Sequence, residues 1–440
     1  SFASVVTLEH DLFTNGIAYV DLAFDIAHVP EELQLYLPLL GKIMSGMGAA
    51  GFTYDEMAKR IALNMGGFGY DLSAGFSVDA ADIWQKMIFS FKALYRNFPE
   101  AIKTICDILC TGDLKQGGRM RDLIAERKNN LQSSIVPSGH IFAKRAAGAA
   151  LTLPAYRDEQ WHGRTQLRFV QQQLNDFDAS KQNLREKLEQ LKVIIFNKNN
   201  LTINITAEAN GVELVEEHIS RLLEKLPAGQ RAERTSQPSL APVYAGIAVP
   251  AQVSYVARAM KAPAYNDPSS ALLMLASREL SNSYLYKYIR VQGGAYGGMS
   301  SFDATLGIFA FLSYRDPHIA ETLNVFQEAQ KFYSQNDMKT DDMEKAIIST
   351  LSALDKPLDP SGRGYVAMIR HFVGATDPMR QSFRNQIFAA TPQKVRETLS
   401  EYFEKAAQFG AVAIYSAQEK LDEANKLLTV KLNLEKLSEI

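Results

Sequence analysis

Cysteine, tryptophan and histidine are all scarce in this chain. Its 440 residues include two cysteines, two tryptophans and seven histidines. Two thiols cannot build a disulfide framework, and so low a count suits a reducing compartment. Cys106 and Cys110 are spaced i, i+4 on a helix predicted over 99–109. With no CxxC and no histidine close by, they are expected to be buried structural thiols rather than a redox pair or half of a zinc site. Charge of one sign is also lacking. The formal net charge is −2, which offers no electrostatic case for nucleic acid. No apolar run approaches the roughly 18 residues of a membrane span. The first residues, Ser1-Phe2-Ala3-Ser4, contain no methionine, no basic stretch and no apolar leader, so a processed product or a piece of something longer is expected.

The usual signatures of catalysis are missing as well. Neither HExxH nor HxxEH occurs. The nearest approach is Leu214-Val215-Glu216-Glu217-His218, where Leu214 stands in place of the first histidine. A histidine pair one helical turn apart is what aims two imidazoles at one metal, so His218 is read as a solvated helix residue. There is no GxxxxGK[ST] and no GxSxG. A literal GxGxxG at Gly46-Met47-Gly48-Ala49-Ala50-Gly51 ends a helical pattern instead of following a strand, so a helix cap and loop are expected there.

Length and pattern say more. A chain of 440 residues exceeds one ordinary core. Two echoes suggest an internal duplication: Gly16-Ile17-Ala18-Tyr19-Val20 recurs as Gly246-Ile247-Ala248-Val249, and Gly66-Gly67-Phe68-Gly69-Tyr70 as Gly293-Gly294-Ala295-Tyr296-Gly297. Two homologous domains follow, 1–232 and 233–440, joined through a Pro/Ser/Arg-rich linker at 227–242. Ala18, Val20, Leu22, Phe24 and Ile26 alternate as a strand, with Asp21 and Asp25 on the other face. A helix follows, with Leu33, Tyr36, Leu37, Leu40, Ile43 and Met44 on one side and a kink expected at Pro38. The stretch 115–192 is mostly helical. Leu201, Ile203 and Ile205 form a strand, and Val215, Ile219 and Leu222 mark a helix. The expected fold class is α+β, two domains each with a mostly antiparallel sheet covered by helices.

One segment combines unusual residues: Tyr288-Ile289-Arg290-Val291-Gln292-Gly293-Gly294-Ala295-Tyr296-Gly297-Gly298. Helical pattern precedes it, and an apolar strand is expected over 305–314. Dense glycine admits positive φ or close approach of another backbone. A guanidinium fork and a phenol beside it can hold an extended peptide and polarise its carbonyls. The first glycine corner has only Arg60, six residues ahead, and reads as a tight lead-in to a strand facing a cavity. Ser313-Tyr314-Arg315-Asp316-Pro317 reads as ordinary turn chemistry, with Arg315 serving locally.

This segment resembles the second half of the presequence proteases, a branch of the pitrilysin/insulinase group of zinc peptidases. The resemblance continues through residues 309–317, 374–381 and 11–21, and so spans nearly the whole chain. It implies four related domains in a complete enzyme, of which this chain is the third and fourth. Zinc is then bound by HxxEH in the absent N-terminal half, and none in this chain. The implied substrates are unfolded peptides enclosed in a chamber. Arg290 and Tyr296 would reach the zinc site and stabilise the oxyanion, with Gly293, Gly294 and Gly297 completing the substrate-binding surface. The implied partner is the catalytic half, in the same chain or as a separate subunit, with no nucleic acid and no membrane. The compartment expected is bacterial cytoplasm or an organelle matrix. The rival is a non-catalytic scaffold or binding subunit of a processing-peptidase-like complex.

Overall fold

Alternating apolar side chains build two sheets. The computed structural model describes residues 5–229, 238–335, 339–406 and 410–437. In the first sheet, β1 (Val6–Asp11), β2 (Ile17–Asp25), β3 (Gly67–Phe76), β4 (Ile83–Leu94) and β5 (Leu201–Ala207) lie in the order β1-β5-β2-β4-β3. In the second, β6 (Tyr244–Ala248), β7 (Tyr255–Lys261), β8 (Gly297–Asp303), β9 (Ile308–Tyr314), β10 (Ala411–Ser416) and β11 (Asn433–Lys436) lie in the order β11-β6-β10-β7-β9-β8. β1 runs parallel to β5, as β6 does to β10, and β11 adds a parallel pair with β6. The other pairs are antiparallel. Adding five to each strand number of the first sheet reproduces the order in the second, and β11 is the one addition.

This correspondence sorts the two echoes. Gly66-Gly67 leads into β3 and Gly293-Gly294 into β8, which occupy the same edge position. The other echo pairs β2 with β6, which occupy different positions, so that likeness carries no structural equivalence. The proposed boundary at residue 232 lies outside the described residues.

Each sheet is packed on both faces. Ala18, Val20, Leu22 and Phe24 are buried on one face of the first sheet. Across the other face lies helix Pro360–Val373, whose Met368 packs with Ala23 and Ile88. That face is partly polar. Asp21 accepts from Ser90 Oγ at 2.6 Å and Asn204 Nδ2 at 2.8 Å, and Lys86 pairs with Asp25 at 2.9 Å. In the second sheet Val256, Met260, Phe309, Phe311, Val412 and Ile414 meet helices of the same half. The opposite face carries Ala257, Ala259, Ala310, Ala411 and Ala413, small enough for helix Gly139–Ala149 to lie close. Each half thus lends a helix to the other half's sheet.

The helical stretch divides into Gly117–Ser134, Gly139–Ala149, Leu153–His162, Arg164–Asn175 and Phe177–Ile195. Pro38 does not kink a helix. It occupies the first turn of helix Leu37–Met44, where its missing N–H costs nothing, and the preceding turns are a separate 3₁₀ segment, Glu31–Tyr36. The strand expected over 305–314 is shortened to β9, because Gly307 turns the chain with φ +68°. The glycine segment itself opens β8.

Candidate functional site

The site is built on the exit of helix Ser270–Asn282. Beyond it the chain widens into a π-helical turn, Tyr286–Gln292. Such turns are uncommon and recur at functional positions. A buried carboxylate fastens the junction: Glu279 takes bonds from the Ser283 and Tyr333 hydroxyls, with no cation partner among the described residues. Burial raises its pKa, and the two hydroxyl bonds oppose that shift. Leu285 and Ile289 point inward, while Tyr286, Arg290 and Val291 point out.

Three of the four glycines are required by the backbone. Gly294 takes φ +75°, a left-handed conformation that disfavours any Cβ. At Gly293 a Cβ would lie 2.7 Å from the Ile289 carbonyl oxygen. At Gly298 it would lie 2.6 Å from Ile289 Cβ and 3.0 Å from the Leu285 carbonyl oxygen. Gly297 is different, since a Cβ there meets only Met299 Cε at 3.4 Å and Tyr314 Cβ at 3.9 Å. Turn geometry therefore accounts for Gly293, Gly294 and Gly298 without a ligand, and leaves Gly297 without a folding reason. Between them Ala295 is buried and donates to the Ile289 carbonyl at 3.1 Å, which turns Tyr296 outward.

Arg290 and Tyr296 come together. The guanidinium carbon of Arg290 lies 5.8 Å from the Tyr296 ring centre and 5.5 Å from that of Tyr286. Stacking between two rings restrains a long side chain while leaving its N–H groups exposed. Tyr296 is 65% exposed. Its ring meets Tyr314 edge-on at 5.7 Å, and Tyr314 meets His140 at 4.8 Å. Burial lowers the pKa of His140, favouring its neutral form. No salt bridge engages Arg290 among the described residues. The arrangement offers two exposed hydrogen-bond donors on a braced surface beside an edge strand.

Sequence reasoning missed Tyr286, Tyr314 and His140. Tyr286 stands four residues before Arg290, the spacing of helical neighbours, and could have been found from it. The other two arrive from distant segments and leave no local signal.

The first glycine corner holds no such pair. Arg60 is bound to Asp107 at 3.0 Å and lies over Phe52 at 4.6 Å. Met65, Gly66, Gly67 and Phe68 line a cavity of about 460 Å³ together with Met44, Met47 and Met57. The literal GxGxxG is a loop: Ala49 and Phe52 exchange backbone bonds around Ala50 (φ +52°) and Gly51 (φ +84°). His218 is not solvated but half-buried near Phe98, with ring centres 6.4 Å apart. Cys106 and Cys110 are free thiols, and burial pushes Cys106 up to about 12, far from a reactive thiolate. Among the described residues no three His, Cys, Asp or Glu side chains converge as a metal site, so these residues do not fit a zinc ion. No helix among them is long and apolar enough to cross a membrane.

Comparison with known proteins places this geometry. Residues 2–172 match the family described as associated with peptidases of family M16, subfamily C, and residues 245–409 match "PreP C-terminal domain". Presequence protease 1, chloroplastic/mitochondrial, of Arabidopsis thaliana is 27% identical over 426 residues, covering 96% of this chain and 39% of that protein. Mitochondrial presequence protease of Saccharomyces cerevisiae is 28% identical over 408 residues, covering 88% and 40%. The chain thus spans about two-fifths of the length of these relatives. A solved structure described as the peptidase M16 inactive domain from Pseudomonas fluorescens has the same fold. Its TM-score is 0.67 at 14% identity, covering 99% of this chain and 98% of that one.

Proposed function

We propose, from the premise that this chain belongs with the presequence proteases of the M16 peptidases and corresponds to their C-terminal half, that it is the non-catalytic half of a zinc endopeptidase degrading unfolded peptides in a closed chamber. The observation that carries this reading is the exposed, stacked Arg290–Tyr296 pair beside the edge strand β8. An exposed guanidinium braced by two rings, without an acidic partner among the described residues, is suited to a ligand and adds little to folding.

In this reading Arg290 and Tyr296 donate hydrogen bonds to the carbonyl oxygen of the scissile peptide as negative charge develops there. Preorganised donors of this kind are worth most when water is excluded. Tyr286 holds the Arg290 fork in place. Gly297, free of packing demands, leaves room for the peptide backbone, with Gly293 and Gly294 shaping the turn beneath it. Zinc is assigned to the other half, which is also the implied partner, in the same polypeptide or as a separate subunit. The two homologous units divide near residue 232, and the compartment is an organelle matrix or bacterial cytoplasm. A pure scaffold subunit would have no use for the exposed pair.

The test is steady-state kinetics of the complete enzyme on an unstructured peptide. Arg290→Ala and Tyr296→Phe should each lower kcat/KM by about 10²-fold, the scale on which oxyanion donors act. Unchanged rates in both variants would overturn the assignment.

A further inference from the structure

Arg315 closes β9 with φ +51°, in the left-handed region where a residue with a Cβ stays only if its surroundings force it. The next residue supplies the force. Asp316 is 1% exposed. It exchanges two backbone hydrogen bonds with Ser254, at 2.7 and 2.9 Å. Its carboxylate accepts from Thr322 Oγ1 at 2.7 Å and from the His318 N–H at 2.9 Å. With Asp316 pinned inside the fold, the chain can leave β9 only by turning Arg315 outward.

That turn has a positional consequence. The β8/β9 register pairs Gly297 with Tyr314, so the next pair outward sets Tyr296 opposite Arg315. The Tyr296 N–H donates to the Arg315 carbonyl at 3.4 Å, in keeping with this placement. The Arg315 guanidinium carbon lies 5.4 Å from the Tyr314 ring centre, and Tyr314 in turn meets Tyr296 edge-on. Arg290 lies beside the same Tyr296 ring. Two guanidinium groups therefore flank one pair of tyrosines. Both arginines are exposed, and no salt bridge engages either among the described residues. Like charges gathered in this way repel, and a carboxylate placed between them relieves the repulsion while accepting the forked N–H groups.

We infer that Arg315 is a second anion-recognising residue of the peptide site, and that the group it takes jointly with Arg290 is a carboxylate of the bound peptide. The inference rests on reading residues 288–298 as peptide-binding, and it assigns Arg315 a role in specificity. The carboxylate has two sources in a peptide, its C-terminus or an Asp or Glu side chain.

The experiment is internal competition in the complete enzyme among three peptides of one core sequence. One is neutral and amidated, one is neutral with a free C-terminal carboxylate, and one is amidated with a single glutamate. Competition yields the ratio of kcat/KM values directly. Arg315→Asn suits the left-handed backbone and removes the charge, and it should lower one acidic-to-neutral ratio by about tenfold. Which ratio falls identifies the source of the carboxylate. Arg315→Lys, which keeps the charge, should retain more of that ratio. Unchanged ratios in Arg315→Asn, or an equal loss in the lysine variant, would confine Arg315 to shaping the turn and overturn the inference. Arg290→Gln separates the two levels: it should slow all three peptides. If it slows none, the parent reading fails, whereas slowing with unchanged Arg315→Asn ratios sinks the present inference alone.

Discussion

The two glycine corners occupy the same place in their sheets and do different things. Each leads a helix into the edge strand, β3 in one sheet and β8 in the other. In the first, the nearby arginine is consumed by the fold: Arg60 neutralises Asp107, whose side chain is 11% exposed, and covers Phe52. In the second, Arg290 has only rings for neighbours and its donors face outward. The fold needs a tight corner in both places but an exposed charge in neither. The free charge in one corner is thus a departure from the common plan, and departures of that kind mark function more clearly than glycines do.

Substitutions put this contrast to the test. The largest effect on stability is expected at Gly298, where a methyl group must displace Ile289 and the π-helical turn. Gly298→Ala should cost about 3 kcal/mol in urea denaturation and should also slow peptide turnover, since Arg290 rides on the same turn. A loss below about 0.5 kcal/mol would show that the turn yields easily. A pH-dependent effect distinguishes the halves next. Glu208 heads the helix after β5, where the helix after β10 has Ala417. Its carboxylate accepts from the Tyr95 hydroxyl, from Thr14 Oγ1 at 2.9 Å and from the Thr14 and Asn15 N–H groups. Led by the Tyr95 bond, these partners hold its pKa at about 2, below the ordinary 4.5. A lowered folded-state pKa means stability that is fully present above pH 4.5 and is lost as the pH falls toward 2. Wild type and Glu208→Gln should therefore differ in denaturation midpoint at about pH 7 and converge as the pH drops through that window. A constant gap would contradict the assignment. The smallest effect is expected at Gly69, where a Cβ meets nothing within 4 Å. Gly69→Ala should raise stability by about 0.5 kcal/mol, through reduced freedom of the unfolded chain.

Much of the fold was legible because period-two and helical patterns report burial directly. β2, β5 and the helix Ala209–Lys225 are examples. The sequence also pointed to Arg290 and Tyr296, through unusual residue types packed into a short segment. What it hid depends on distant partners. Helices lent between the halves come from long-range packing, and so does the tyrosine beneath Tyr296. The repeat of Gly16-Ile17-Ala18 at Gly246 misled because apolar strand residues are few in kind and recur by chance. His218 looked solvated because nothing near it in sequence announces Phe98. Arg315 looked like turn chemistry, and its backbone is indeed turn-like, but the register that sets it opposite Tyr296 is a property of the sheet.

The most direct measurement compares the two arginines in one experiment, recording thermal unfolding and peptide turnover for Arg290→Ala and Arg60→Ala in the complete enzyme. A reciprocal result is expected. Arg290→Ala loses about 10²-fold in kcat/KM with little change in Tm. Arg60→Ala leaves Asp107 without its main partner and loses about 2 kcal/mol of stability, while the folded enzyme turns over peptide at close to the normal rate. If Arg290→Ala unfolds the protein and spares the folded enzyme's rate, the exposed arginine belongs to the fold and the central claim is wrong.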